Sequence, residues 1–210
     1  MNVLAHLLLS DPTAESWLGN LMGDFVKGTP KAELGPVLIQ GIKRHRAIDA
    51  FTDTHPIVRQ SKRLISPERR RFASIILDVG YDYFLCRHWR CYSDMPLPSF
   101  IQTVYAGLDA HLRQPSAQVV PPPCRYLIQR MIADDWLTSY QTLAGIGVAL
   151  DRLSHRFKRQ NPLCGSVEEI EANDQALDQQ FQQFFPDLVQ YVSTLERLSP
   201  LANHEIRPHR

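Results

Sequence analysis

The sequence predicts an all-α protein folded as a compact helical bundle. Three observations carry this. No period-2 alternation of apolar and polar residues persists anywhere along the 210 residues, and no Asn-Gly or Asp-Gly hairpin turn occurs. Prolines stand where helices begin, at Pro12, Pro36, Pro67 and Pro98, rather than inside apolar runs. The hydrophobic content of 44% and charged content of 21% match an ordinary globular core wrapped in a polar surface. A chain of this length builds one sizeable domain without disulfide or metal staples, so residues 1–198 are expected to form one unit and 199–210 a frayed tail.

The elements follow in order. Short helices are predicted over the first ten residues and over 13–26, the second with Glu15 in its first turn. "KGTPKAELGP" reads as a loop. A long helix runs from Pro36 to Thr54 and stops before His55-Pro56. Pro67-Glu68 opens a central helix to about His88, apolar on almost every side. "YSDMPLP" breaks the chain, and Pro98-Ser99 opens a helix to Gln114. "QPSAQVVPPP" links to helices over 124–142 and 145–158. A last helix starts at Ser166, with Glu169 three residues on as in a capping box, and Pro186 is expected to kink or interrupt it.

Several function classes are excluded or disfavoured. No apolar run approaches the roughly 20 residues that span a bilayer, so no membrane partner is expected. The N-terminus lacks the basic region and cleavage site of a signal peptide. Cys86, Cys91, Cys124 and Cys164 are scattered without metal or disulfide spacing, which suits reduced thiols in a cytoplasmic protein. Gly-rich phosphate loops, a nucleophile elbow and an H-E-x-x-H motif are missing. The basic residues are not interleaved with aromatics, so no nucleic-acid partner is expected.

Charge is segregated along the chain. Residues 43–71 hold nine Lys and Arg against Asp49, Asp53 and Glu68, a balance of +6; residues 160–187 hold six acids and no Lys or Arg, a balance of −6. Such segregation offers a basic surface for an acidic partner, or else two solvated helix faces.

The chemistry concentrates in the first ninety residues. In "SIILDVGYDYFLCRHW", Asp78 and Asp82 lie four apart on one face of the apolar central helix, where a carboxylate is costly unless paired. His45, Asp49 and Asp53 recur at intervals of four on the long helix. That is a ligand set for divalent cations, or else a polar stripe with a His–Asp hydrogen bond. His6 in "NVLAHLLL" and Asp24 in "GNLMGDFVKG" are polar residues in apolar settings. His6, Asp24, His45, Asp49, Asp78 and Asp82 therefore form the candidate metal set, on four helical segments that a bundle would bring together.

These motifs carry a resemblance. "NVLAHLLL", "GNLMGDFVKG", "GIKRHRAID" with "FTDTHP", and "LDVGYDYFLCRHW", in order from residue 1 to about 90, resemble the acyl carrier protein phosphodiesterase (acyl carrier protein hydrolyase) family, and "QQFQQFFPDL" also fits. Residues 93–165 contribute little to the resemblance. It implies a bacterial cytoplasmic hydrolase that releases 4′-phosphopantetheine from the serine of holo-acyl carrier protein. It also implies an all-helical fold similar to HD-type phosphohydrolases and Mn2+ as the ion, with Mg2+, Fe2+ or Co2+ as alternatives. Two departures stand out: there is no adjacent His-Asp doublet, and Tyr83 occupies a position where the family often has His.

Under that reading a metal acidifies water, and Asp82 or Asp49 orients it. Arg46 stabilises charge on phosphoryl oxygens, helped by His55 or Arg87. Carrier proteins are strongly acidic, so Arg44, His55, Arg69, Arg70, Arg71 and Arg87 are the expected contacts to the substrate. The rival readings are an HD-like nucleotide phosphohydrolase and a non-enzymatic helical module that binds acidic partners.

Overall fold

A computed structural model of the chain describes residues 2–197; the expected tail at 199–210 lies outside them. Among the described residues there are eleven α-helices, several short 3-10 turns and no strand. The helices are α1 (Val3–Leu8), α2 (Ala14–Leu21), α3 (Pro36–Thr54), α4 (Pro56–Leu64), α5 (Ala73–Arg87), α6 (Leu97–Leu112), α7 (Pro122–Ala133), α8 (Trp136–Ser139), α9 (Leu143–Ser154), α10 (Val167–Ala172) and α11 (Asp174–Arg197).

The central helix α5 packs against α1, α4, α9, α10 and α11. Ile76, Leu77, Tyr81, Phe84 and Leu85 are buried along it, which explains why its sequence lacks a polar face. A ring of Phe181, Phe184 and Phe185 from α11 closes on Tyr81, Phe84 and Tyr92. On the other side α2 and α3 pack closely because Gly19 and Gly41 meet backbone to backbone. A Cβ built on Gly41 would lie 2.6 Å from the Gly19 carbonyl carbon. This close approach sets α3, with His45 and Asp49, beside the turn that follows α2.

The boundaries differ from expectation in informative ways. Thr13 caps α2, its side chain accepting from the Ser16 N–H. Pro56 ends α3 and also starts α4, a helix missing from the sequence reading because one X-Pro step serves as stop and start. The central helix begins at Ala73, after a 3-10 turn at Arg70–Phe72, rather than at Pro67. Asp135 adopts a left-handed conformation at φ 46° and splits the expected 124–142 helix into α7 and α8. The capping box at Ser166 does not form: the Ser166 hydroxyl makes no hydrogen bond, and the Glu169 carboxylate accepts from the N–H and hydroxyl of Ser66. Pro186 sits inside a continuous α11. Its penalty of about 3 kcal/mol is offset by complete burial of neighbouring Phe184, Phe185 and Leu188.

Candidate metal centre

Three of the six candidate ligands converge. The ligand atoms of His6, His45 and Asp49 lie within 4.8 Å of one another. His6 comes from the buried face of α1, and His45 and Asp49 from one face of α3 at the i, i+4 interval. Their imidazole rings stack with centroids 4.1 Å apart. His6 Nε2 lies 3.2 Å from Asp49 Oδ1, and His45 Nε2 lies 3.1 Å from Asp49 Oδ2. Asp24, on the 3-10 turn after α2, brings Oδ1 to 3.2 Å from the same His45 nitrogen.

Electrostatics tie the group together. Burial lowers the pKa of His6 to about 4. His45 also pays for burial, yet hydrogen bonds to Asp24 and Asp49 outweigh it and raise its pKa to about 9. The hydrogen bond to His45 holds Asp24 below the usual carboxylate range. Asp49 lies well below that range, because hydrogen bonds from both histidines overcome its partial burial. A neutral imidazole can donate its Nε2–H to a carboxylate oxygen, and without that proton the same nitrogen presents a lone pair to a cation. One divalent cation satisfies both nitrogens and the carboxylates together, so the donor set fits Mn2+ or a similar ion.

The family assignment follows from comparison. The acyl carrier protein phosphodiesterase family model matches residues 1–188. The chain belongs to this family. A relative from Serratia proteamaculans named acyl carrier protein phosphodiesterase is 39% identical over 90% of this chain and 96% of its own. A relative of the same name from Pectobacterium atrosepticum is 36% identical over 92% and 98%. Another from Escherichia coli is 37% identical over 92% and 98%. No solved structure matches.

Within this family member the remaining candidates sit as follows. Asp82 is fully buried, and both its oxygens are engaged: Oδ2 accepts from the Leu4 N–H at 2.9 Å and Oδ1 from the Ala5 N–H at 3.0 Å. The sequence places Asp82 at the ion or its water; here it meets the start of α1 and is not among the three residues whose ligand atoms converge. It anchors the N-terminus of α1, the helix that presents His6, where orphan amides attract a carboxylate. Asp78 is half-buried one turn away, its pKa raised chiefly by burial and in part by the charge of Asp49.

The expected phosphate ligand Arg46 donates to the Gly28 and Val26 carbonyls, clamping the loop beyond Asp24 rather than facing the cluster. Arg44 is buried and pairs with Asp11 at 3.2 Å. His55 lies 3.3 Å from Asp187 and packs on Phe51 and Phe184. Arg69 pairs with Glu168 and Glu169, Arg70 donates to the Ile65 carbonyl, and Arg87 pairs with Asp174 and Asp178. Arg71 is exposed, over the Phe72 ring. Arg69 and His55 thus close the basic stretch on the acidic stretch of the same chain.

The sequence reading missed the wall beside the cluster. A small recess bordered by His6, Asp24, His45 and Asn2 continues into one of about 140 Å³ lined by Asp24, Trp136, Arg152 and Arg156. Leu127 borders both, and also a larger recess of about 490 Å³ beyond them. The basic run "DRLSHRFKR" at 151–159 was the available signal.

Proposed function

We propose that this chain hydrolyses the phosphodiester joining 4′-phosphopantetheine to the serine of holo-acyl carrier protein, giving the apo-carrier protein and free 4′-phosphopantetheine. The observation that carries the reading is the convergence of His6, His45, Asp49 and Asp24 in a chain of this family. The relatives' shared name supplies the substrate class.

Bound at His6, His45 and Asp49, a divalent cation supplies Lewis acidity toward a phosphoryl oxygen and acidifies water. The side chains then divide the remaining work. His6 and His45 are stacked face to face, which fixes the direction of both Nε2 atoms. Asp49 offers one oxygen to each histidine and links the pair. Asp24 is the most solvent-exposed acid of the set, its side chain 73% exposed, so it stands where water enters and accepts the proton of the attacking water. Asp82 keeps α1 in place from behind. The all-helical setting, with ligands drawn from facing helices, supports the kinship with HD-type phosphohydrolases.

The test is to incubate purified enzyme with holo-carrier protein and Mn2+, with and without a chelator, and to weigh the carrier protein by mass spectrometry. Loss of the prosthetic-group mass only when metal is present is the expected result. An unchanged mass, with turnover of nucleotides instead, favours the nucleotide phosphohydrolase. No turnover and no bound divalent ion favours the non-enzymatic module.

A further inference from the structure

The sequence places its densest positive charge at 43–71, but the fold turns part of that charge inward: Arg44 pairs with Asp11, Lys62 with Asp53, and Arg69 with Glu168 and Glu169. A different basic surface opens next to the cluster. The recess of about 490 Å³ is lined by Arg130, Arg152, Arg156 and His155, together with Phe25, Tyr126 and Trp136. Arg130 bonds Asp134 at 2.7 Å, and Arg152 lies 3.9 Å from the same carboxylate while stacking 4.3 Å over Trp136. Arg156 is exposed and carries no ion pair among the described residues. Three guanidinium groups thus share a single paired carboxylate, Asp134.

Helical spacing organises this face. Tyr126 and Arg130 are four apart on α7, and Val148 and Arg152 are four apart on α9, while Arg156 lies in the turn just beyond α9. Tyr126 is 66% exposed and Val148 56% exposed, uncommonly open for such side chains. Exposed tyrosine and aliphatic side chains among arginines are the composition of a protein-binding patch. The face is also continuous with the metal cluster, since Leu127 and Asp24 border the connecting recesses.

We propose that the α7–α9 face, with Arg130, Arg152 and Arg156 around Tyr126 and Val148, is the docking surface for the acidic body of the carrier protein. The inference rests on the proposed reaction and names the surface of this chain that meets its substrate. Charge complementarity selects the occupant. The pantetheine arm is uncharged beyond its phosphate and offers nothing for three arginines, whereas an acidic helical protein carries carboxylates on the surface around its modified serine. A protein seated here places that serine toward Asp24 and the cluster.

The experiment measures binding of apo-carrier protein, which has no bond to cleave, by titration calorimetry at low and moderate salt. Arg130→Glu with Arg156→Glu is expected to weaken affinity by about tenfold or more and to flatten the salt dependence. Val148→Asp, which touches the apolar part of the patch, is expected to weaken it as well. Thermal unfolding of each variant establishes that it is folded. Unchanged affinity in folded variants overturns the proposal. So does loss of affinity in Arg71→Glu alone, because docking would then lie before α5. Free 4′-phosphopantetheine competing for the face, with protein affinity unaffected by the variants, overturns it in favour of an arm-binding recess. If wild-type enzyme binds apo-carrier protein through these arginines but leaves the holo form intact, the docking surface stands and the reaction reading fails.

Discussion

The sharpest consequence of the structure concerns Asp82. Its two carboxylate oxygens accept from the amides of Leu4 and Ala5, both buried, across 78 and 77 residues of sequence. Asp82→Ala leaves both donors without an acceptor. Each orphaned buried donor costs about 1–3 kcal/mol, so the pair should cost about 2–6 kcal/mol. Set against a total stability of about 5–15 kcal/mol, this is a large fraction. Asp82→Asn keeps one carbonyl acceptor but turns an NH2 group toward the other amide, so its loss should fall between wild type and Asp82→Ala. Chemical denaturation of metal-free protein, followed by circular dichroism, reads the difference as a shift in midpoint. A metal titration separates anchor from ligand: Asp82→Asn should keep Mn2+ affinity close to wild type, whereas His45→Ala should lose it. An Asp82→Ala midpoint equal to wild type would refute the anchoring argument. Loss of Mn2+ in Asp82→Asn matching that of His45→Ala would put Asp82 back on the ion.

Further outcomes are expected. Burial pushes the Asp82 carboxyl up to about 7 from an ordinary 3.8, so the folded chain binds this proton more tightly than the unfolded one. Stability from this group is full below about pH 4 and is lost as pH rises toward 7, and Asp82→Asn should remove that slope in a pH series of denaturation midpoints. Gly41→Ala sets a methyl against the backbone of Gly19 and Asn20, so α2 and α3 must separate. A loss of about 1–3 kcal/mol, with lower activity as Asp24 and His45 part, is expected from thermal unfolding and turnover assays. Glu169→Ala removes the acceptor for Ser66 and Arg69 and should destabilise by about 3 kcal/mol, measurable by denaturation. Chelation should abolish turnover, and Mn2+ should restore it in wild type but not in Asp49→Asn.

Parts of the fold and site were legible in the sequence because they are local. Prolines and the Thr13 cap mark helix starts, and the four-residue interval from His45 to Asp49 states that both share a face. The apolar setting of His6 signalled a buried histidine, and it is one. What local pattern cannot carry is the identity of a distant partner. Asp78 and Asp82 share a face by spacing, but nothing near them announces that the Asp82 partner is the start of α1. Likewise the basic and acidic stretches each read as surface, yet His55 meets Asp187 and Arg69 meets Glu168 over 132 and 99 residues. The α7–α9 face stayed hidden because its arginines and aromatics come from separate segments, neither holding a motif by itself.

The anchoring of α1 also sets an order of assembly. A six-residue helix is too short to persist alone, since forming its first turn is unfavourable and few residues follow to recover the loss. Its fixed position depends on Asp82, so this segment waits for α5. His6 cannot take its place beside His45 until most of α5 has emerged and packed. Closing so long a loop is slow compared with forming the helices themselves. At the proposed site, capture of an ion by the complete set would follow the packing of α5, and an ion arriving earlier would meet only the half-site on α3.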